Sequence, residues 1–300
     1  MPRKRLLELT DAERRLLARP AKYAAWIFGI TTFLVVTGLS FPLDVALVTD
    51  LRNTHPWTDD LFKILESPGQ RRYVYPITIL MSVVFTIRRK DLLPMIVAVS
   101  ALLFTNAVTG VFKIATLRGF PRTSGPEVFN PNFGDLADLG AYPSGHAANI
   151  AAASTLMVLA AYSARPKYRP LAIPITLITS VIAAVTFMSS WFRDTHWVTD
   201  LVAGLALGVT TTIVATLWAL HLPEHWRHPE LAGRPRLVIF TSGVITLAAI
   251  FMFAGNSFLS HSGTSFVLVA GTLLVIARGS HEGIKRAIAR NAESKESESK

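Results

Sequence analysis

Long apolar runs, separated by short basic segments, constrain this chain more than any other feature of its sequence. A helix that crosses a bilayer needs roughly 20 mostly apolar residues, and eight stretches approach that length. They are residues 23–45, 73–87, 92–117, 146–163, 171–188, 197–220, 236–254 and 262–277. Only 17% of the residues are charged, whereas a soluble domain carries about 25%. Because backbone polar groups in lipid must be satisfied within a segment, we predict an all-α integral membrane protein.

The basic residues lie mainly on one side of the predicted membrane. With the amino terminus inside, the inner segments hold 22 lysines and arginines and the outer segments hold seven. This asymmetry predicts a multi-pass cell membrane protein with both termini in the cytoplasm. It also accounts for the net charge of +10 without a nucleic-acid partner. The chain has no cysteine, which excludes disulfides, thiolate catalysis and cysteine metal sites.

The apolar runs divide the chain into four parts. Residues 1–22 form a basic, amphipathic cytoplasmic segment, in which a capping box at 10–13 predicts a short interfacial helix before the first span. Residues 23–220 hold a core of six transmembrane helices, and residues 221–278 hold two additional ones whose role the sequence does not indicate. Residues 279–300 form a cytoplasmic tail that is rich in Glu, Ser and Lys and is predicted to be disordered.

Several side chains near the ends of the runs are interpreted as interfacial. Residues 57–65 alternate apolar and charged side chains at helical spacing, which predicts a short helix lying on the outer surface. Asp44, near the outer end of the first run, and Trp197 are interpreted as interfacial side chains. Three histidines after the sixth run are also interpreted as interfacial rather than as metal ligands: His221, His225 and His228.

Four ionisable side chains lie inside or at the ends of the runs, where charge is costly. They are Lys113, His146, His196 and Asp200. The topology places all four near the extracytoplasmic face, because the third run ends just after the lysine and the fourth and sixth begin at the histidines. Three arginines lie in the same loops: Arg118, Arg122 and Arg193. A basic cluster with one acid suits an anionic substrate.

The segment Pro143-Ser144-Gly145-His146 has the properties of an anion site at the start of a helix. Ser144 is a favourable N-cap, and the unpaired N–H groups of a first helical turn attract a phosphate. Gly145 lets that phosphate approach the backbone closely. His146 could protonate a departing alkoxide as a general acid.

His196 and Asp200 are four residues apart and therefore share one face of a helix. The carboxylate could keep one ring nitrogen of His196 protonated, which leaves the other as a nucleophile. Lys113 and the three arginines would balance the charge of a phosphoryl group during its transfer.

The order of these elements resembles the type 2 phosphatidic acid phosphatase superfamily, which also includes the vanadium haloperoxidases. That superfamily has three motifs: a lysine followed by Arg-Pro, then Pro-Ser-Gly-His, then Ser-Arg followed by His-x-x-x-Asp. The second motif is complete here at 143–146, and the third keeps Ser189, His196 and Asp200. The resemblance covers about residues 40–220.

Two motif arginines are displaced. Phe120 stands immediately before Pro121, and Ser190 follows Ser189, at the two positions where the superfamily has arginine. We expect neighbouring arginines, at 118, 122 and 193, to replace them. The alternatives are weakened turnover or a fold that serves another purpose.

The resemblance implies a metal-independent lipid-phosphate phosphatase that uses no cofactor. It implies that His196 attacks phosphorus, that Asp200 orients it and that His146 protonates the leaving group. The phosphate-binding residues would be Lys113, Arg118, Arg122, Ser144, Gly145 and Arg193. The substrate would be a polyprenyl diphosphate, phosphatidic acid or phosphatidylglycerol phosphate, whose tail stays in the bilayer. A polyprenyl carrier is slightly favoured, because its recycling takes place on the outer face.

Two other classes of protein remain open. A phosphotransferase would use the same intermediate and pass the phosphoryl group to an acceptor other than water. A non-catalytic protein that binds or transports lipid on this fold would explain the displaced arginines, but not the retained histidines. The sequence does not indicate an oligomeric state.

Overall fold

The computed structural model of the chain describes residues 11–49, 55, 57–89, 91–122, 126, 128, 140–162 and 170–222. These residues form helices joined by turns and short connections, and no β-strand occurs among them. The helices are α1 (Asp11–Val36), α2 (Phe41–Ala46), α3 (Trp57–Glu66), α4 (Arg71–Arg89), α5 (Leu93–Thr116), α6 (Gly145–Tyr162), α7 (Ala172–Phe192) and α8 (Val198–Leu220), with a 3₁₀ turn at Ser67–Gly69 between α3 and α4. The all-α fold class and the short helix after residue 56 are thereby confirmed.

Among the described residues, three helices, α5, α7 and α8, are long and apolar enough to cross a membrane. At 1.5 Å per residue, the 24 residues of α5 span about 36 Å, more than the roughly 30 Å of a bilayer core. On α7, large apolar side chains are widely exposed, with Ile173 64% and Val181 61% accessible. This pattern fits contact with lipid, and the chain is a membrane protein.

The total of six core spans and two additional ones stays a prediction. The runs at 236–254 and 262–277 lie outside the described residues, as do residues 1–10, the tail at 279–300 and the histidines at 225 and 228.

Residues 11–36 form one continuous helix, so the prediction of a separate interfacial helix before the first span is wrong. Pro20 lies inside this helix and removes one backbone hydrogen bond. Strong helix formers, mainly Ala, Leu, Arg and Lys, surround it and carry the helix through. The chain first turns at Gly38, whose φ of +77° suits glycine.

Helix α8 is the central helix of the described bundle and packs against α1, α5 and α6. Two glycines one turn apart allow its close contact with α6. A Cβ at Gly204 would lie 2.9 Å from the Cβ of Ala147, and one at Gly208 would collide with the carbonyl oxygen of Ala148. Small residues at this spacing let helices approach in lipid, where no hydrophobic force drives them together. The starts of α6 and α8, which carry the two histidine motifs, are thereby held side by side.

Candidate active site

A cavity of about 520 Å³ opens at the end of the bundle where α4, α6 and α8 begin and α3, α5 and α7 end. It brings together Lys113, His146 and His196, and Asp200 lies behind His196. The full lining is Glu66, Gly69, Gln70, Arg71, Arg72, Lys113, Phe120, Arg122, Gly145, His146, Asn149, Arg193, Thr195 and His196.

His196 is buried at the end of the connection between α7 and α8, and its ring lies near that of His146. The two ring centroids are 6.3 Å apart. The Nδ1 atom of His196 lies 3.6 Å from Oδ2 of Asp200 and has no hydrogen-bond partner among the described residues. That separation exceeds a hydrogen bond, but catalytic hydrogen bonds are often long before substrate binds. The geometry is compatible with Asp200 orienting His196.

His146 is the second residue of α6, and the cap of this helix forms as predicted. The Oγ atom of Ser144 accepts a hydrogen bond from the N–H of Ala147 at 3.4 Å. The sequence analysis places Ser144 among the phosphate-binding residues, but its side chain is fully buried and does not line the cavity. It supports the start of the helix instead. Gly145 does line the cavity, and a Cβ there would meet no atom within 4 Å. This open space lies beside His146.

Arg118 is placed differently from the sequence-based expectation. Its side chain is fully buried and does not line the cavity. It donates hydrogen bonds to Asp200 at 2.5 Å, to Asp44 at 2.6 Å and to the Thr199 hydroxyl at 2.8 Å. Its Nε donates to the carbonyl of Pro126 at 3.0 Å. Since these bonds engage the guanidinium behind the site, Arg118 does not belong among the cations of the cavity.

The same network corrects two other interpretations. Asp44 is 1% exposed and pairs with Arg118, so it is a buried counter-charge and not an interfacial side chain. Trp197 is 4% exposed, and its ring packs 5.6 Å from the guanidinium carbon of Arg118. Neither burial was visible in the sequence, because Asp44 and Trp197 are each buried by contacts with residues 74 or more positions away along the chain.

Arg193 and Arg122 do line the cavity, but carboxylates already pair with both. Arg193 contacts Glu66 through Nη1 and Asp59 through Nε, the latter at 3.0 Å. Arg122 lies 3.2 Å from the same Asp59 and donates a hydrogen bond to the carbonyl of Arg193 at 2.5 Å. The two arginines therefore form one cluster on one wall of the cavity.

Lys113 and Phe120 also line the cavity and lie close to each other. The Lys113 ammonium donates to the carbonyl of Gly140 and lies 5.9 Å from the centre of the Phe120 ring. Phe120, at the displaced arginine position, also packs against His196 with ring centroids 5.5 Å apart. An apolar ring thus stands beside the candidate nucleophile at this position.

Glu66 and Arg71 are two of the cavity residues that sequence reasoning missed. Glu66 is 2% exposed at the end of α3, and Arg71 begins α4. Both lie in the connection between the first and second predicted spans, where charged side chains ordinarily face water. A charged residue adjoining the start of a span was the one available signal, and that signal is weak.

The charges around Glu66 govern its ionisation. Burial raises the pKa of the Glu66 carboxyl, but the nearby His146, Arg193 and His196 outweigh that effect and lower the pKa below its ordinary value. Burial lowers the pKa of Arg193, whereas Asp59 and Glu66 raise it above the usual range. Both members of the pair are therefore charged at neutral pH.

Within the described part of the chain, no three His, Asp or Glu side chains are grouped as a metal site would require.

Comparison with known proteins gives one sequence match and one structural match. The sequence model of the PAP2 superfamily matches residues 94–223. The fold is similar to that of a transmembrane PAP2 type phosphatidylglycerolphosphate phosphatase from Bacillus subtilis, with a TM-score of 0.56 and 18% identity over 68% of this chain and 97% of that one. No curated protein sequence matches this chain.

At 18% identity the structural match establishes the fold alone. The matched sequence segment contains every motif residue, from Lys113 to Asp200. The resemblance that these motifs indicate is thus confirmed: residues 94–223 of this chain match the sequence model of the PAP2 superfamily.

Proposed function

We propose that this chain is a membrane lipid-phosphate phosphatase that works through a phosphohistidine intermediate. The observation that carries the proposal is the placement of His196 and His146 around one cavity, with ring centroids 6.3 Å apart. Lysine and arginine side chains line the same cavity. A nucleophile, an acid and positive charge are the three components that phosphoryl transfer to histidine requires.

In the first step, Nε2 of His196 attacks phosphorus while the bond from phosphorus to the ester oxygen breaks. His146 transfers a proton from its Nε2 to the departing alkoxide. Asp200 holds Nδ1 of His196 and stabilises the positive charge that its ring acquires. In the second step, a water oxygen attacks phosphorus, the N–P bond breaks, and His146 takes up a proton from that water.

The phosphoryl oxygens would be held by Lys113, Arg122 and Arg193, and Gly145 would let them approach the start of α6. Arg71 joins this set, because it lines the cavity and no carboxylate in the described part of the chain pairs with it. These fixed positive charges stabilise the transferring phosphoryl group without a metal ion. Arg118 and Ser144 act behind the cavity, the first on Asp200 and the second on the helix start.

The substrate proposed is a lipid with a phosphomonoester or diphosphate head. The cavity lies where apolar helices end, so a lipid tail can stay in the leaflet while its phosphate enters. Candidates are a polyprenyl diphosphate, phosphatidic acid and phosphatidylglycerol phosphate; the last resembles the substrate named for the Bacillus subtilis protein. The excess of Lys and Arg in the segments on the other side supports an extracytoplasmic site.

The test is phosphate release from these three lipids by purified protein in detergent and EDTA, with His196→Ala measured in parallel. We expect release by the unaltered protein and none by the variant, and the relative rates would rank the substrates. A His196→Ala protein that kept most of its activity would contradict the proposal. Loss of the unaltered protein's activity in EDTA, restored by a divalent cation, would contradict metal independence.

A further inference from the structure

We propose that Glu66 is a positioning residue for His146: it orients the imidazolium through Nδ1–H, so that Nε2–H is directed at the leaving group. This inference rests on the proposed function. Glu66 would orient the candidate acid, His146, as Asp200 orients the candidate nucleophile, His196. The nearest atoms are Nδ1 of His146 and Oε1 of Glu66, which are 3.8 Å apart.

The carboxylate of Glu66 is fixed by the end of α7 and the connection that follows it. Its Oε1 accepts hydrogen bonds from the hydroxyls of Ser190 at 2.9 Å and Thr195 at 3.3 Å. Its Oε2 pairs with Arg193. Glu66 is 2% exposed, yet it lines the cavity. A buried carboxylate repels a phosphate, so its presence in a phosphate cavity needs a reason beyond substrate binding.

Backbone packing brings this carboxylate close to His146. The turn that follows Glu66 presses against the start of α6 through Gly69, where a Cβ would lie 2.9 Å from the carbonyl oxygen of His146 and 3.1 Å from its Cβ. The same Cβ would lie 2.8 Å from Cγ2 of Thr186 on α7. Only glycine fits between these two helices, so the turn is held at a fixed distance from the histidine.

The two histidines of the cavity are therefore arranged alike. Each has a buried carboxylate near Nδ1, at 3.6 Å for His196 and 3.8 Å for His146. Orientation through Nδ1 leaves Nε2 of each ring available to the substrate. The negative charge of Glu66 also stabilises the imidazolium of His146, which the first step consumes and the second restores.

A purely structural role for Glu66, as the partner of Arg193, predicts a different result, and the leaving group distinguishes the two. An alkyl phosphate expels an alkoxide and needs a proton from the acid, whereas p-nitrophenyl phosphate expels a stable phenolate and hardly needs one. The quantity to measure is kcat/KM, which reports the step in which the ester bond breaks. In Glu66→Gln we expect kcat/KM for a short-chain phosphatidic acid to fall about 100-fold, the lower end of a general acid's contribution. The fall for p-nitrophenyl phosphate should be about threefold at most.

Two variants complete the experiment. His146→Gln should show the same selective loss as Glu66→Gln. Asp59→Asn removes the other carboxylate of Arg193 and should leave the ratio of the two kcat/KM values unchanged. Equal losses on both esters in Glu66→Gln, or a selective loss in Asp59→Asn as well, would overturn the inference.

Failure of the proposed function would look different. If the unaltered protein cleaved neither ester, the phosphatase proposal itself would be overturned, and the role of Glu66 with it. If Glu66→Gln does not fold, Glu66→Asp keeps the charge and withdraws the carboxylate by one methylene. Its kcat/KM for the alkyl ester should then fall less than in Glu66→Gln, but still more than its kcat/KM for p-nitrophenyl phosphate. The same fractional loss of kcat/KM on both esters would overturn the inference.

Discussion

Arg118 lies between two buried carboxylates, Asp44 at 2.6 Å and Asp200 at 2.5 Å. Both carboxylates, like Arg118 itself, have fully buried side chains. Asp200 also accepts the N–H of Trp197 at 3.1 Å through its other oxygen, so one arginine fixes both the start of α8 and the carboxylate behind His196. Its removal would leave two negative charges buried without compensation.

We predict that Arg118→Met lowers the stability of the fold by about 3–5 kcal/mol, the cost of breaking a buried ion pair. Thermal unfolding of the purified protein in detergent measures this. Arg122→Met is the matched control, since that arginine makes a partly exposed pair with Asp59, of a kind worth about 1 kcal/mol or less. An Arg118→Met protein that unfolds at the temperature of the unaltered chain and only binds substrate more weakly would restore this residue to the phosphate site.

The cations of the cavity differ in how fully they are already compensated. Carboxylates pair with Arg193 on two sides, whereas none in the described part of the chain pairs with Arg71. We predict that Arg71→Ala raises KM for phosphate lipids about tenfold without changing the unfolding temperature. That factor corresponds to about 1.4 kcal/mol, close to the value of a hydrogen bond to a charged group.

Arg193→Ala should raise KM and lower the unfolding temperature together, because it also leaves Glu66 buried with one partner fewer. Arg15→Ala is the control for Arg71, since the Arg15 side chain is exposed on α1 and does not line the cavity. Steady-state kinetics on the three variants checks these expectations. An unchanged KM in Arg71→Ala would remove this residue from the phosphate site.

Among the helices, the contact of α6 with α8 controls the site most directly, because both histidine motifs begin there. We predict that Gly208→Ala costs about 1–3 kcal/mol, as overpacking does, and lowers turnover by separating the two histidines. A Cβ at this position would collide with the backbone oxygen of Ala148, which cannot rotate away.

Gly29→Ala supplies the matched control on α1, where a Cβ would meet no atom within 4 Å. Alanine should be neutral or slightly stabilising there, since it favours a helix by about 0.5–1 kcal/mol over glycine. Unfolding temperature and phosphate release, measured on both variants, provide the comparison. Equal behaviour of the two variants would show that the close approach of α6 and α8 is not required.

Local patterns were enough to predict most of the helices among the described residues and the convergence of His146, His196 and Lys113. Each pattern concerns residues within one run, where apolar length and a cap signal are sufficient. Contacts between runs were not predictable in this way. Glu66 meets Ser190 across 124 positions of the chain, and no spacing rule relates residues so far apart.

The direction of a side chain was the second limit of the sequence. Arg118 occupies the predicted loop, but its guanidinium turns inward to Asp44 and Asp200. The choice between inward and outward depends on the buried carboxylates available, and Asp44 gave no sign of its burial. The displaced motif arginines were visible as an absence. The contacts made by the residues at those two positions required the structure. Phe120 packs against His196, and Ser190 donates a hydrogen bond to Glu66.

At the scale of the whole molecule, the distribution of positive charge predicts which side of the membrane the cavity faces. The helices give the relative arrangement: α7 ends at the cavity, and α1 begins at the opposite end of the bundle from Asp44. The excess of Lys and Arg in the segments away from the cavity predicts that the cavity faces outward. A substrate lipid would then have to present its phosphate in the outer leaflet.

The absence of cysteine from the chain lets a single introduced thiol report the side without background. We predict that Lys63→Cys, on α3 near the cavity, reacts with a membrane-impermeant maleimide in sealed right-side-out vesicles. Arg15→Cys, at the start of α1, should react only after detergent opens them. Both side chains are exposed, and each substitution removes one positive charge, so the pair is matched in accessibility and charge. The reverse labelling pattern would place the cavity in the cytoplasm, and the substrate would then be a lipid phosphate of the inner leaflet.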